Sequence, residues 1–307
     1  DPATASWLPA TSYYTLENSM TTAAGEAQKA GIERQPGSLT VRIFGQTLLG
    51  SDGIHEALAL EDPAEYAARS LKEMLIARGV QVQGPAQARH RFSSDTGDLI
   101  DEQRQPLALQ PSTLGNVEVA AAPGQTVLAS HVSPPLGEDL VVTNKVSQNL
   151  HAELVLRTLG KLEGSDGSLV EGTRVVRQFL IQAGLDPGDF FFYDGSGLST
   201  KDVVTPRAFT ALLTYAAQQK WGAEFRATFP VGGVDGSLRA RFREPLLDGK
   251  VFAKTGTLGE VNTLSGYIVG KSGKTVAFSI LCNNHLPESE AERQVMDKIV
   301  AAIARAN

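Results

Sequence analysis

The stretch Val251-Phe252-Ala253-Lys254-Thr255-Gly256-Thr257-Leu258 decides how this chain reads. It is a short apolar strand carrying a cation, a hydroxyl and a glycine in succession. Such groups suit a sheet edge along which a substrate backbone can lie. The Lys254 ammonium and the Thr255 hydroxyl can hold a carboxylate together. Gly256 has no Cβ, so another backbone can come close. The backbone N–H of Thr257 would then point at whatever docks there. A Lys-Thr-Gly triplet also arises by chance, and a strand-end lysine is usually just solvated. The rest of the chain must therefore supply the context.

Of the 307 residues, 42% are hydrophobic and 20% charged, as in a globular protein with one large and one smaller domain. Lys and Arg number 28 against 34 Asp and Glu, a formal net charge of -6, and no basic run stands out. That balance argues against a nucleic-acid partner. No apolar run is long enough to span a bilayer, so no transmembrane segment is expected. The chain opens on Asp1-Pro2 without an initiating Met, which reads as a processed or trimmed product. The single cysteine, Cys282, lies in the apolar run Val276 to Cys282 and reads as a buried, inert thiol. His55, His90, His131, His151 and His285 are scattered without H-E-x-x-H spacing, so no metal site is expected.

Working outward from the strand, the runs Val251 to Thr255, Leu264 to Val269 and Thr275 to Cys282 predict an antiparallel meander. Lys271-Ser272-Gly273-Lys274 is a hairpin turn between the last two. A closing helix is expected from the capping box Ser289-x-x-Glu292, burying Val295, Ile299 and Ile303. Upstream, Val146, Leu150 and Leu154 predict a helix ended by Gly160. Val175, Val176, Phe179 and Leu180 predict another, ended by Gly184, and Thr205-Pro206 starts a third. Nearer the start, Ser38 to Phe44 alternates as a half-buried strand. Asp62-Pro63-Ala64-Glu65 opens a helix with the apolar stripe Ala67, Leu71, Met74 and Leu75, and Val80 to Val82 reads as a further strand. Residues 1 to about 37 give no clear pattern. Between about Ser93 and Pro123, the acidic cluster Asp95, Asp98, Asp101 and Glu102 precedes repeated Pro and Gly, predicting an exposed connection. The fold class is α/β (α+β), with helices packed on an antiparallel sheet.

Ser147-Gln148-Asn149 lies where an irregular stretch meets a helix. Ser147 could simply be an N-cap, Asn149 a surface amide and Lys145 a surface residue. Functionally, a hydroxyl here can relay a proton and an amide can grip a peptide carbonyl. Ser147-x-Asn149 and Lys254-Thr255-Gly256 match, in order, two of the three motifs S-x-x-K, S-D-N and K-T-G of penicillin-binding proteins and class A β-lactamases. Further matches are Ser133-Pro134-Pro135-Leu136, Asn149-Leu150-His151-Ala152-Glu153, Asp194-Gly195-Ser196-Gly197-Leu198-Ser199 and Gly233-Val234-Asp235-Gly236-Ser237-Leu238. With these, the chain resembles the class C, low-molecular-mass penicillin-binding proteins, which are D-alanyl-D-alanine carboxypeptidases and endopeptidases. The similarity is dense from about residue 131 to 284 and thinner from about 13 to 92.

The resemblance implies a penicillin-binding-protein/β-lactamase-like transpeptidase domain over residues 124–307, lacking its N-terminal portion. Residues 1–92 would be part of a smaller inserted α+β domain, with 93–123 a linker. It implies an acyl-serine mechanism on peptidoglycan stem peptides, covalent inhibition by β-lactam antibiotics, no cofactor and a periplasmic or extracytoplasmic location. Ser147, Asn149 and Lys254 would be catalytic. Thr255, Gly256, Thr257 and Ser196 would bind substrate. The chain departs from the pattern in one severe respect: no lysine has Ser three positions before it. Thr158-x-x-Lys161 is the nearest look-alike and stands in the wrong order. The nucleophile is therefore expected on an N-terminal segment outside this sequence, and these residues alone are expected to be inactive. Thr200 also stands where the family often has the arginine of G-L-S-R. The alternatives are a non-catalytic peptidoglycan- or penicillin-binding module and a β-lactamase-like hydrolase.

Overall fold

The strand-forming runs at the end of the chain pair as their alternation requires. The computed structural model describes residues 1–25, 28–89, 97–109, 123–286 and 289–307. The chain divides into two compact units, Asp1–Phe92 and Ser93–Asn307.

In the first unit, β1 (Thr15–Ala23), β2 (Lys29–Glu33) and β3 (Thr40–Leu48) form a sheet of order β1-β3-β2. β1 runs parallel to β3, and β2 runs antiparallel to it. Val41, Tyr13 and Tyr14 make the core, with Tyr66 packed edge-on against Tyr13. Tyr66 belongs to α1 (Pro63–Ala77), which starts as expected: the Asp62 carboxylate accepts the Glu65 N–H at 3.0 Å. The apolar stripe does not behave as expected, because Ala67, Leu71 and Met74 are exposed and the inward contact is made by Tyr66. Val80 to Val82 forms no strand. Its first N–H instead turns back to the Leu75 carbonyl and closes the helix end.

The second unit is built on an antiparallel sheet, β6 (Val251–Leu258), β7 (Val261–Val269) and β8 (Thr275–Asn283), in that order. Two short strands, β4 (Phe190–Phe191) and β5 (Val203–Val204), pair separately. The helices are α2 (Leu99–Arg104), α3 (Leu136–Val142), α4 (Asn149–Glu163), α5 (Leu169–Gln182), α6 (Pro206–Ala217), α7 (Gly222–Ala227) and α8 (Ala291–Ala306). On one sheet face Val251, Ala253, Leu264 and Ile268 pack against Met296, Val300 and Ala304 of α8. On the other, Phe252 and Tyr267 pack against Leu213 of α6, Phe225 of α7 and Phe229. Successive strand residues point to opposite faces, so this single sheet is covered on both sides.

Several expectations are corrected here. Part of the expected exposed connection is α2, capped by Asp98 and burying Gln103, whose amide donates to the Phe192 carbonyl at 2.8 Å. Residues 93–96, including Asp95, and 110–122 lie outside the described residues. Gly160 does not end α4, which runs on to Glu163; it is buried where α4 meets α5. That meeting turns Leu156 and Gly160 inward, leaving Val146, Leu150 and Leu154 outside at 70%, 61% and 52% exposure. In α8 the buried face falls on Met296, Val300, Ala301 and Ala304, while Val295 and Ile299 are exposed. Ser289 and Glu292 do meet at 2.8 Å, but side chain to side chain. Among the described residues no helix is long and apolar enough to cross a membrane.

Candidate active site

β6 is an edge strand of its sheet among the described residues, and its outer edge is half covered. Ala253 N–H donates to the Pro230 carbonyl at 3.1 Å, and Gly232 N–H donates to the Val251 carbonyl at 2.9 Å. Residues 251 and 253 thus direct their backbone groups away from β7. Antiparallel pairs alternate, so Thr255 and Thr257 do the same. Beyond Ala253 that edge has no main-chain partner among the described residues. By that alternation Thr257 directs its N–H outward.

The side chains of β6 take different partners. Lys254 Nζ donates to Ser147 Oγ at 2.7 Å and to the Thr255 carbonyl at 2.8 Å. No Asp or Glu among the described residues forms an ion pair with it, and burial lowers its pKa from the ordinary lysine value. The Thr255 hydroxyl donates to Ser237 Oγ at 2.8 Å. A Cβ on Gly256 would lie 2.5 Å from the Thr263 hydroxyl, so the cross-strand neighbour as well as the open edge favours glycine.

Ser147 closes a π-helical turn, Thr143–Ser147, at the end of α3, where Gln148 N–H reaches back to the Thr143 carbonyl at 3.1 Å. Single π-turns of this kind often mark functional sites. Ser147 has φ +62°, a left-handed conformation uncommon for a residue with a Cβ. The turn is tied down at each step. Thr143 Oγ1 donates to the Asp139 carbonyl, Asn144 Nδ2 to Thr228 Oγ1, and Lys145 forms an ion pair with Asp235. Ser147 is not the N-cap of α4; Gln148 is, accepting the Leu150 N–H at 3.3 Å.

Asp235 also accepts the Val231 N–H at 2.9 Å and leads into the 3-10 turn Gly236–Leu238 that carries Ser237. A Cβ on Gly236 would lie 2.9 Å from the Lys145 carbonyl, so glycine lets the two turns meet. In the sequence Lys145 reads as a surface residue, and nothing there gives Asp235 or Ser237 a role. The one signal available was their place in the Gly233 to Leu238 match.

Not every expected residue joins this cluster. Asn149 is the first residue of α4, exposed, with no hydrogen bond to Lys254 or Thr255. Ser196 is bound elsewhere: its hydroxyl donates to Glu153 Oε1 at 2.8 Å, beside the N–H groups of Gly195 and Ser196 at 3.1 Å. Glu153 thus fixes that loop to α4. Asp194 braces it further by accepting from Gly197 and Ser199. Asp202, accepting the Tyr193 N–H at 2.7 Å, has its pKa pushed up to about 6 by burial and by the neighbouring Asp194. Arg207 is committed to Asp189 through a two-pronged contact, 2.7 Å at each prong.

Residues 95–306 match the model of the D-Ala-D-Ala carboxypeptidase 3 (S13) family. The chain belongs to this family. Among curated proteins it is 32% identical to a D-alanyl-D-alanine carboxypeptidase of Actinomadura sp. (strain R39), over 99% of this chain and 52% of that protein. It is 28% identical to the D-alanyl-D-alanine carboxypeptidase DacB of Haemophilus influenzae, over 85% of this chain and 54% of that one. The chain thus spans about half the length of these relatives. Among solved structures it resembles penicillin binding protein 4 (dacB) of Haemophilus influenzae, determined in complex with a β-lactam. The TM-score is 0.70 at 21% identity, covering 96% of this chain and 65% of that one. The fold is that of the penicillin-binding proteins.

Proposed function

We propose that the protein is a serine-type D-Ala-D-Ala carboxypeptidase/endopeptidase acting on peptidoglycan stem peptides. The observation that carries this reading is the 2.7 Å contact between Lys254 Nζ and Ser147 Oγ, beside a strand edge with no main-chain partner beyond Ala253 and with no acidic partner for the lysine among the described residues. A desolvated ammonium lacking a carboxylate is ready to accept one from a ligand. In this scheme Lys254 and Thr255 hold the substrate's terminal carboxylate while its backbone lies along β6 as an added strand. The Thr257 N–H supports the oxyanion, and Asn149 holds the acyl-side amide. Ser147 and Lys254 pass the proton to the departing amine. Gly256 leaves room for the peptide, and Ser196 lines the approach from its loop on Glu153.

The serine that forms the acyl intermediate belongs, in this reading, to an S-x-x-K motif on a segment outside these 307 residues. Residues 1–92 are then part of an accessory domain, and the place of work is the periplasm or another extracytoplasmic space, where peptidoglycan lies. β-Lactams act as covalent inhibitors by resembling the substrate's end. With Thr200 at the G-L-S-R position and Arg207 held by Asp189, no strong preference for a stem peptide with an extra carboxylate is expected.

Labelling with a fluorescent penicillin tests the scheme. The 307-residue chain is expected not to label, because hydrogen-bond donors and a lysine do not replace an activated serine. The protein extended by the segment bearing S-x-x-K is expected to label, and Lys254→Ala to reduce that labelling strongly. An adduct on Ser147 or Ser196 would overturn the assignment of roles. Absence of labelling in the extended protein would favour a binding module.

A further inference from the structure

Behind the end of β6, on the α8 side of the sheet, lies a closed set of polar side chains with no part in the scheme above. Asn262 faces Thr257 across the ladder and is 3% exposed. Its Oδ1 accepts the Thr257 hydroxyl at 2.9 Å and has Arg293 Nε at 3.4 Å. Its Nδ2 donates to Glu292 Oε1 at 2.9 Å and lies 2.9 Å from His285 Nε2. Ser289 Oγ donates to the other Glu292 oxygen at 2.8 Å, and His285 Nδ1 lies 2.8 Å from the Leu286 carbonyl.

The chemistry permits one polarity for this set. An ionised carboxylate only accepts, so the NH₂ of Asn262 faces Glu292 and its carbonyl faces Thr257. The Leu286 carbonyl also only accepts, so His285 carries a proton on Nδ1 and offers Nε2 to the second amide hydrogen. Every donor then meets an acceptor. Turning the amide over would set its carbonyl against a carboxylate in a buried place, at the cost of unpaired polar groups.

The consequence falls on the Thr257 backbone. Among the described residues the last main-chain hydrogen bond on the outer edge of β6 is the one at Ala253, four residues earlier, and the strand ends one residue later at Leu258, before Gly259 with φ +51°. The outward amide is thus held from behind through its own side chain. We infer that Asn262, backed by Glu292 and His285, is a positioning residue that fixes the oxyanion-binding N–H of Thr257 through the Thr257 hydroxyl. This rests on the function proposed above.

The test uses the complete enzyme, with its nucleophile-bearing segment. It measures the rate of acylation by a fluorescent penicillin, and kcat and KM on a D-Ala-D-Ala peptide. Asn262→Leu and Thr257→Val are each expected to slow acylation about tenfold, as a small misplacement of a catalytic group does. KM is expected to stay within about twofold, because the loss lies in the transition state. The double variant is expected to lose no more than either single one, since both cut the same link. Thr257→Ser, which keeps the hydroxyl, recovers most of the loss. Singles at the wild-type rate, or losses that multiply in the double variant, would overturn the inference. Should Asn262→Leu fail to fold, the Thr257→Val and Thr257→Ser pair at the exposed strand end decides it. A wild-type enzyme that does not acylate refutes the proposed function itself; a labelling wild type with unaffected variants refutes only this inference.

Discussion

Replacing Gly160 by alanine puts one methyl into the place where α4 and α5 cross. The added Cβ would lie 2.7 Å from Gly172 N, 2.9 Å from the Asp166 carbonyl and 3.0 Å from Gly172 Cα. All three are backbone atoms, so no rotamer change relieves the clash. Reaching ordinary contact at 3.4 Å requires the helices to part by about 0.7 Å. Overpacking costs about 1–3 kcal/mol, and contact with backbone that cannot rotate away places this site in the upper part of that range, about 2–3 kcal/mol. Alanine's better helix propensity returns about 1 kcal/mol. The net expectation is a loss of about 1–2 kcal/mol, or a Tm lower by roughly 2–8 °C for a unit of this size. Gly172→Ala is expected to be worse, because its methyl would meet the Leu156 carbonyl at 2.5 Å. Urea unfolding followed by circular dichroism measures both. Because α4 carries Asn149 and Glu153, a parting of the helices also displaces the site. If either variant is as stable as the wild type, the close backbone crossing is refuted. A stabilised Gly160→Ala would mean that propensity alone decides the position.

Two predictions concern protons. Burial lowers the Lys254 pKa, so between that lowered value and the ordinary 10.5 the unfolded chain binds more protons than the folded one. Wild-type stability relative to Lys254→Met should therefore rise with pH across that window, as denaturant midpoints at successive pH values will show; a flat or falling difference would contradict the buried ammonium. For Asp202 the sign is opposite: its pKa rises from 3.8 to about 6, so the folded state holds the extra proton and stability falls as pH climbs through that interval. Asp202→Asn keeps an acceptor for the Tyr193 N–H and is expected to flatten this dependence; an unchanged pH profile would refute the assignment to Asp202.

Much of the fold is local enough to be read from the chain. The Thr205-Pro206 start, the Asp62 cap, and the β6, β7 and β8 runs with their hairpin turn depend on hydrogen bonds and apolar periods within a few residues. The Ser147 and Lys254 motifs were legible for the same reason: each is a short string of chemically apt groups. Their contact spans 107 positions and could be anticipated only through the family resemblance.

Tertiary structure decided the rest. β1 pairs in parallel with β3, and no turn signal announces a pairing whose partner lies across an intervening strand. In α4 and α8 the apolar period was visible, but the buried face was set by what each helix meets. Gly160 and Gly172 let α4 turn Leu156 inward, and the sheet selects Met296 and Val300 rather than Val295 and Ile299. A period shows that a helix has an apolar stripe, yet neighbouring stripes compete, and the partner surface chooses between them. The supports of the site are of this kind too. Lys145 with Asp235, Thr255 with Ser237, and Thr257 with Asn262 join polar residues common on any surface. Only folding brings each to its partner, where hydrogen-bond geometry gives it a task the sequence does not mark.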